Sequence, residues 1–273
     1  MINTAQDLLK AGDLAGTLAS LQDSIRAKPE DAKLRVFLFQ LLCVMGDWKR
    51  AIAQLKICAQ LDAGALPMAQ TYREAIICEV FREKVFAGEK EPLIFGKPQD
   101  WVALLAQGVK ALANGEPDHA AALREEAFDK APMTPGELDG QDFAWVADAD
   151  MRLGPVLEIV INGKYFWMPY NVLASLRLEA PVDLRDTVWT AANLTIRNGG
   201  ELVGLIPTRY PGTAERGDDS MKLSRSTAWE DLGGDAFAGL GQRLITTDQA
   251  EVSIMDARNF QFAEDAAEDA VDG

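Results

Sequence analysis

The sequence predicts an α+β protein: an N-terminal tetratricopeptide-like α-α superhelix, then an antiparallel β-rich domain with one or two short helices. Two observations carry the prediction. Gly12-Asp13 and Gly46-Asp47 stand 34 residues apart, each followed by apolar residues at helical spacing. Such a period marks stacked helical hairpins. From about Asp142 the apolar period shortens towards two, and Asn-Gly dipeptides separate short apolar runs, the strongest local signal for a β-hairpin. The predicted division is 1–135 helical, 136–262 β-rich and 263–273 an acidic tail.

Each helical element has its own signature. After Gly12-Asp13, Leu14, Leu18, Leu21 and Ile25 fall on one helix face, and Pro29 closes the segment. After Gly46-Asp47 the same face returns as Trp48, Ile52, Leu55 and Ala59. Between them Ala32–Met45 forms the first helix of the second hairpin. Asp31 is its N-cap, because a carboxylate there accepts the open N–H groups of the first turn. Gly46 ends it, since glycine takes the left-handed C-cap cheaply. A weaker third copy spans Trp101–Pro132, with Gly115 in the place of Gly46 and Gly108 where two helices touch. Leu66–Gly88 reads as one long helix, and Glu89–Asp100, broken by Pro92, Gly96 and Pro98, as an inserted loop.

In the second half, PVLEIVINGKYFWMP turns at Asn162-Gly163, DTVWTAANLTIRNGGELVGLIP at Asn198-Gly199-Gly200, and QRLITTDQAEVSIMD about Thr247-Asp248. PYNVLASLRLE is expected to be a short helix and YPGTAERGDDSMKLSRS a polar loop. The tail from Ala263 carries five acids and no base, a composition expected to be disordered.

The net charge of −15 opposes binding to nucleic acid or to an anionic membrane surface. The start MINTAQDLLK lacks the layout of a secretory signal. The longest apolar run, Val36–Met45, is far short of the about 20 residues that span a bilayer. Cys43, Cys58 and Cys78 sit in helical apolar segments and read as buried free thiols of a reducing compartment. The expected location is therefore cytoplasmic.

Chemistry is sparse. His119, the one histidine, stands in a charged helical stretch without an orienting partner. No cysteine or histidine pair has zinc spacing, and no phosphate-binding loop occurs, so neither metal nor cofactor is expected. Asp148 and Asp150 beside Arg152 suggest either a cation site or an Asp–Arg ion pair; the ion pair is the plainer reading. Trp145, Trp167, Trp189 and Trp229 lie in the β half, where a buried ring means core and an exposed one a protein interface. Stacked hairpins offer a curved face for a partner peptide or helix. Counted from the glycine anchors, Gln6, Lys10, Lys33 and Gln40 are expected on that face.

In the β half, DMRLGPVLEIVINGKYFWMP, LRDTVWTAA, RYPGT, STAWED and GLGQRLI resemble, in this order, the ImpE/TagJ (SciE-type) family of type VI secretion accessory proteins. The resemblance runs from the N-terminal repeats to Phe262. It implies a cytoplasmic, non-enzymatic adaptor that binds the small subunit of the contractile sheath and is linked to the AAA+ ATPase that disassembles contracted sheaths. It carries over no catalytic residue. Arg152, Gly154, Pro155, Tyr210, Pro211, Gly212, Trp229, Gly239, Gly241 and Arg243 match its motifs; the glycines and prolines are expected to fix turns, and Arg152 and Arg243 to contact a partner. The rival expectation is an enzyme with a site near Asp148, Asp150 and Arg243.

Overall fold

The computed structural model describes residues 2–263 apart from Asp235; the acidic tail from Glu264 lies outside the described residues. The first half holds α1 (Ile2–Ala11), α2 (Leu14–Ala27), α3 (Ala32–Val44), α4 (Trp48–Leu61), the long α5 (Leu66–Phe86), the short strand β1 (Leu93–Ile94), α6 (Asp100–Ala113) and α7 (Pro117–Lys130). Three antiparallel hairpins, α1/α2, α3/α4 and α6/α7, flank α5.

The recurring Gly-Asp pair is a joint. Gly12 and Gly46 adopt φ of +84° and +74° and end α1 and α3. The aspartate that follows begins the next helix: Asp13 accepts from Gly16 N at 2.7 Å and Asp47 from Arg50 N at 3.2 Å. Asp31 caps α3 in the same way, accepting from Lys33 N and Leu34 N. In the third hairpin Glu116 makes no side-chain cap, and Pro117 takes the first helical position. That difference is why the third copy is faint in the sequence.

The second half contains β2 (Gly136–Leu138), β3 (Gln141–Phe143), β4 (Val146–Asp148), β5 (Val156–Ile161), β6 (Lys164–Pro169), β7 (Leu173–Leu178), β8 (Trp189–Ile196) and β9 (Glu201–Pro207). Two single-turn helices follow, α8 (Thr213–Arg216) and α9 (Asp219–Lys222), and then β10 (Thr227–Gly233), β11 (Ala236–Gly241), β12 (Leu244–Thr247), β13 (Glu251–Ser253) and β14 (Asn259–Phe262). They build a nine-stranded sheet ordered β1-β6-β5-β9-β8-β7-β14-β2-β3, a three-stranded sheet β13-β12-β4, and a β10–β11 hairpin. Pairing is antiparallel throughout except between β1 and β6.

The chain is thus α+β, as expected, and three local expectations need correction. The Leu66–Gly88 helix holds, but the loop after it carries β1, which extends the sheet beside Phe166 and Trp167. PYNVLASLRLE is a 3-10 turn and then strand β7. A bulge between Leu173 and Ser175 places buried Leu173 and Leu176 three residues apart, a spacing that imitates a helix. The polar stretch after Tyr210 is not plain loop; it holds α8 and α9, the latter capped by Asp218 accepting from Met221 N.

Strand β5 is buried along its whole length and joins two cores. Leu157, Ile159 and Ile161 face a core closed by Val146, Ile245 and Ile254. Val156 and Val160 face a second, shared with Val85, Trp101 and Leu105 of the helices. A third core packs α1–α5 against Val188, Trp189 and Leu223 of the second half. The sequence division at 135/136 falls in the connection between Lys130 and Gly136.

Side chains of the second half also finish the helices of the first. Arg209, 5% exposed, donates from Nη1 to Val44 O (2.7 Å) and from Nη2 to Cys43 O (3.3 Å), at the C-terminal end of α3. Arg225 donates to Lys10 O and Leu9 O at the end of α1, and Asp219 accepts from Leu14 N at the start of α2. Each charge has the sign that the helix dipole favours at that end.

Candidate partner groove and the buried ionic knot

Two features distinguish the molecule. The first is an open groove of about 510 Å³ on α1 and α3. Lys33, Val36, Phe37 and Gln40 supply its α3 wall, at the spacing i, i+3, i+4, i+7 of one helix face. Gln6 enters from α1 and Leu184, in the connection from β7 to β8, closes the opposite side. Its lining mixes apolar Val36, Phe37 and Leu184 with two amides, one ammonium and the carboxylate of Asp62, a composition suited to holding a helix or peptide by an apolar stripe. Of the four residues expected on the inner face, Gln6, Lys33 and Gln40 meet here. Lys10 is exposed at the end of α1 and does not line the groove.

The second feature is a knot of buried charge between the halves. Glu158, in the middle of β5, receives a bidentate pair from Arg82 of α5, with Nε at 2.7 Å and Nη2 at 2.8 Å. Arg243 also binds Glu158 and reaches Asp148; its Nε donates to Pro207 O at 2.9 Å. Glu79 accepts from Trp189 Nε1 at 3.1 Å and pairs with Arg82 at 3.3 Å. Tyr165 donates to Glu158 and itself accepts from Trp167 Nε1 at 2.8 Å. Asp150 binds Arg152 and accepts from Gly239 N at 3.0 Å.

Burial decides the electrostatics. It pushes the Glu158 carboxyl upwards, but the guanidiniums of Arg82 and Arg243 outweigh it and hold the group down at about 2. Asp148 goes the other way: burial, aided by neighbouring Asp150, pushes it up to about 7 against the pull of Arg243. Burial lowers Arg209 to about 10 and raises the Cys78 thiol to about 12. Cys43, Cys58 and Cys78 are free and buried.

The Asp–Arg reading of Asp150 and Arg152 is the observed one. Of the two motif arginines, Arg243 is withdrawn from solvent, whereas Arg152 is half-buried beside an open pocket lined also by Glu83, Phe86 and Arg216. Arg243 is 0% exposed, and each of its three guanidinium nitrogens is bonded, to the Pro207 carbonyl, Asp148 and Glu158. Arg152 lies over the Phe86 ring at 4.8 Å, its guanidinium held by Asp150. Asp148 and Asp150, the core of the rival site, are 3% and 0% exposed and bonded within the knot. His119 is exposed on α7. Among the described residues no cluster of three metal-ligating side chains occurs, and no helix is long and apolar enough to cross a membrane.

The motif glycine Gly239 is required by a close approach: a Cβ there would lie 2.2 Å from the ring of Tyr210. Arg82, Glu79 and Glu158 were missed by sequence reasoning. The one available signal was Glu158 itself, a lone acid inside the apolar run VLEIVI.

The ImpE protein family matches residues 140–261, the segment that holds Asp148, Glu158 and Arg243. A Pseudomonas aeruginosa relative, the type VI secretion system accessory component TagJ, is 52% identical over 258 residues, 94% of this chain and 90% of the relative. The chain belongs to the ImpE/TagJ family. A crystal structure of a Vibrio parahaemolyticus protein shares the ImpE/TagJ architecture seen here, with a TM-score of 0.88 at 25% identity over 96% of this chain and 98% of that one. In this ImpE/TagJ chain the motif residues Gly239, Tyr210, Asp150 and Arg243 are therefore parts of one buried assembly.

Proposed function

We propose that this chain is a cytoplasmic, non-enzymatic accessory adaptor of a type VI secretion system. It holds the small subunit of the contractile sheath in the α1/α3 groove, and through that contact it influences sheath assembly or disassembly by the AAA+ ATPase. The observation that carries the reading is the groove itself, an open helix face lined by Val36, Phe37 and Leu184 together with Gln6, Lys33 and Gln40, in a chain 52% identical to a relative named for that system. The buried knot supports a holding role, because it ties helix α5 to strand β5.

Co-purification with the two sheath subunits of the same secretion cluster tests the reading. Binding at micromolar concentration is expected, and Lys33→Glu with Gln40→Glu weakens it about tenfold or more while circular dichroism stays unchanged. A folded protein that leaves both subunits unbound overturns the proposal. Binding that survives the double substitution intact moves the contact away from the groove.

A further inference from the structure

The β10–β11 hairpin has two unlike edges. Gln242 N donates to Ser226 O, which fixes residues 226 and 242 as a hydrogen-bonded pair. Alternation along an antiparallel ladder then turns the backbone groups of Thr227, Trp229 and Asp231 outward on β10, and those of Phe237, Gly239 and Gly241 outward on β11. The outward groups of β11 are taken up by the body of the protein. Phe237 O accepts from Met151 N, Gly239 N donates to Asp150, Gly241 N donates to Thr213 Oγ1, and Gly241 O accepts from Tyr210 N. On β10, among the described residues, no other strand pairs with the outer edge.

The same hairpin carries two exposed aromatic rings on one face. Trp229 is 40% and Phe237 44% exposed. They are diagonal neighbours, because Trp229 lies opposite Gly239 and Asp231 opposite Phe237. Trp229 rests on Tyr210 at 5.7 Å between ring centroids, so its free side is held ready for contact. By contrast Trp167 and Trp189 are 0% exposed and belong to the core. The edge sequence TAWEDLG contains two acids and no lysine or arginine, so it lacks the basic side chains that commonly guard an open edge.

We infer that the outer edge of β10 is a second docking site, which takes an extended segment of the sheath partner as an added strand. This rests on the adaptor reading above. The outward N–H and C=O groups of Thr227, Trp229 and Asp231 supply the ladder. The segment presents an apolar or aromatic residue across from Trp229 and lysine or arginine across from Asp231. A second copy of this chain fits the edge less well, since each copy brings a charge of −15 and no base on the edge.

Amide hydrogen exchange on the full chain, alone and with the two sheath subunits, tests the inference. The backbone amides of Thr227, Trp229 and Asp231 are expected to slow about tenfold or more on binding. Asp231→Lys, an exposed change, is expected to weaken binding about threefold or more at low salt and less at high salt, and Trp229→Ala about tenfold. Binding that leaves these three amides and the Asp231→Lys affinity unchanged overturns the second site and leaves the groove reading standing. Absence of any binding overturns both. Protection of the same amides by concentration alone, with dimerisation, assigns the edge to a second copy and overturns the inference as stated.

Discussion

Arg82 and Glu158 grip each other through two hydrogen bonds, 2.7 and 2.8 Å, with both side chains withdrawn from solvent. The pair joins the long helix α5 of the first half to the fully buried strand β5 of the second. Removing one partner leaves a buried charge without its counterion, which costs about 3–5 kcal/mol. Arg82→Ala and Glu158→Gln are both expected to show losses of that size in urea unfolding. Replacing both by methionine is expected to cost less than the two single losses together. A single variant with wild-type stability would show that the pair contributes nothing.

The two acids of the knot give opposite pH dependences. Glu158 is held at about 2, below its ordinary 4.5. Its contribution is complete above pH 4.5 and disappears as the pH falls towards 2. Asp148 is raised from 3.8 to about 7. Its charged form is disfavoured in the fold, so its contribution is complete below pH 3.8 and declines as the pH rises through 7. Asp148→Asn removes that second slope. Unfolding midpoints measured from pH 4 to 8 are expected to fall less steeply in the variant, and parallel curves would refute the assignment.

Gly239→Ala forces a Cβ to within 2.2 Å of the Tyr210 ring. Overpacking of this kind costs about 1–3 kcal/mol. The displaced ring also disturbs Trp229, which packs against it at a tilt. A shift in tryptophan emission together with a lower melting temperature is the expected result. Emission and stability both unchanged would mean that the ring moves aside freely.

Arg209→Ala removes the donors that end α3 at Cys43 and Val44. Because Arg209 is 5% exposed, the freed carbonyls stay buried, at a cost of about 1–3 kcal/mol. Arg225 does the same for α1 from an exposed position, and its loss is expected to cost under about 1 kcal/mol. Exchange rates in the last turn of each helix separate the two. Equal effects at both sites would count against burial as the deciding factor.

Much of the architecture was legible because it is written locally. A glycine that ends one helix and an aspartate that starts the next are adjacent in sequence, so the 34-residue recurrence reports directly on two real joints. Asn162 and Gly163 take positive φ of 49° and 68° between Ile161 and Lys164, the turn their identities announce. The groove was partly legible for the same reason: Lys33 and Gln40 share a helix face by spacing alone. Where a local signal was ambiguous the reading failed, as in β7, where one inserted residue turns a strand's spacing into a helix's.

The sequence by itself determined the joints of the first two helical hairpins and the Asn162-Gly163 turn, since those depend on residues a few positions apart. Tertiary structure alone decided which charges are buried and which aromatics remain exposed. Arg82 and Glu158 are 76 residues apart in the chain, and nothing within reach of either announces the other. Their pairing, the burial of Arg243, and the open edge of β10 beside Trp229 follow from how the sheet and the helices close on each other, where desolvation and packing outweigh every local preference.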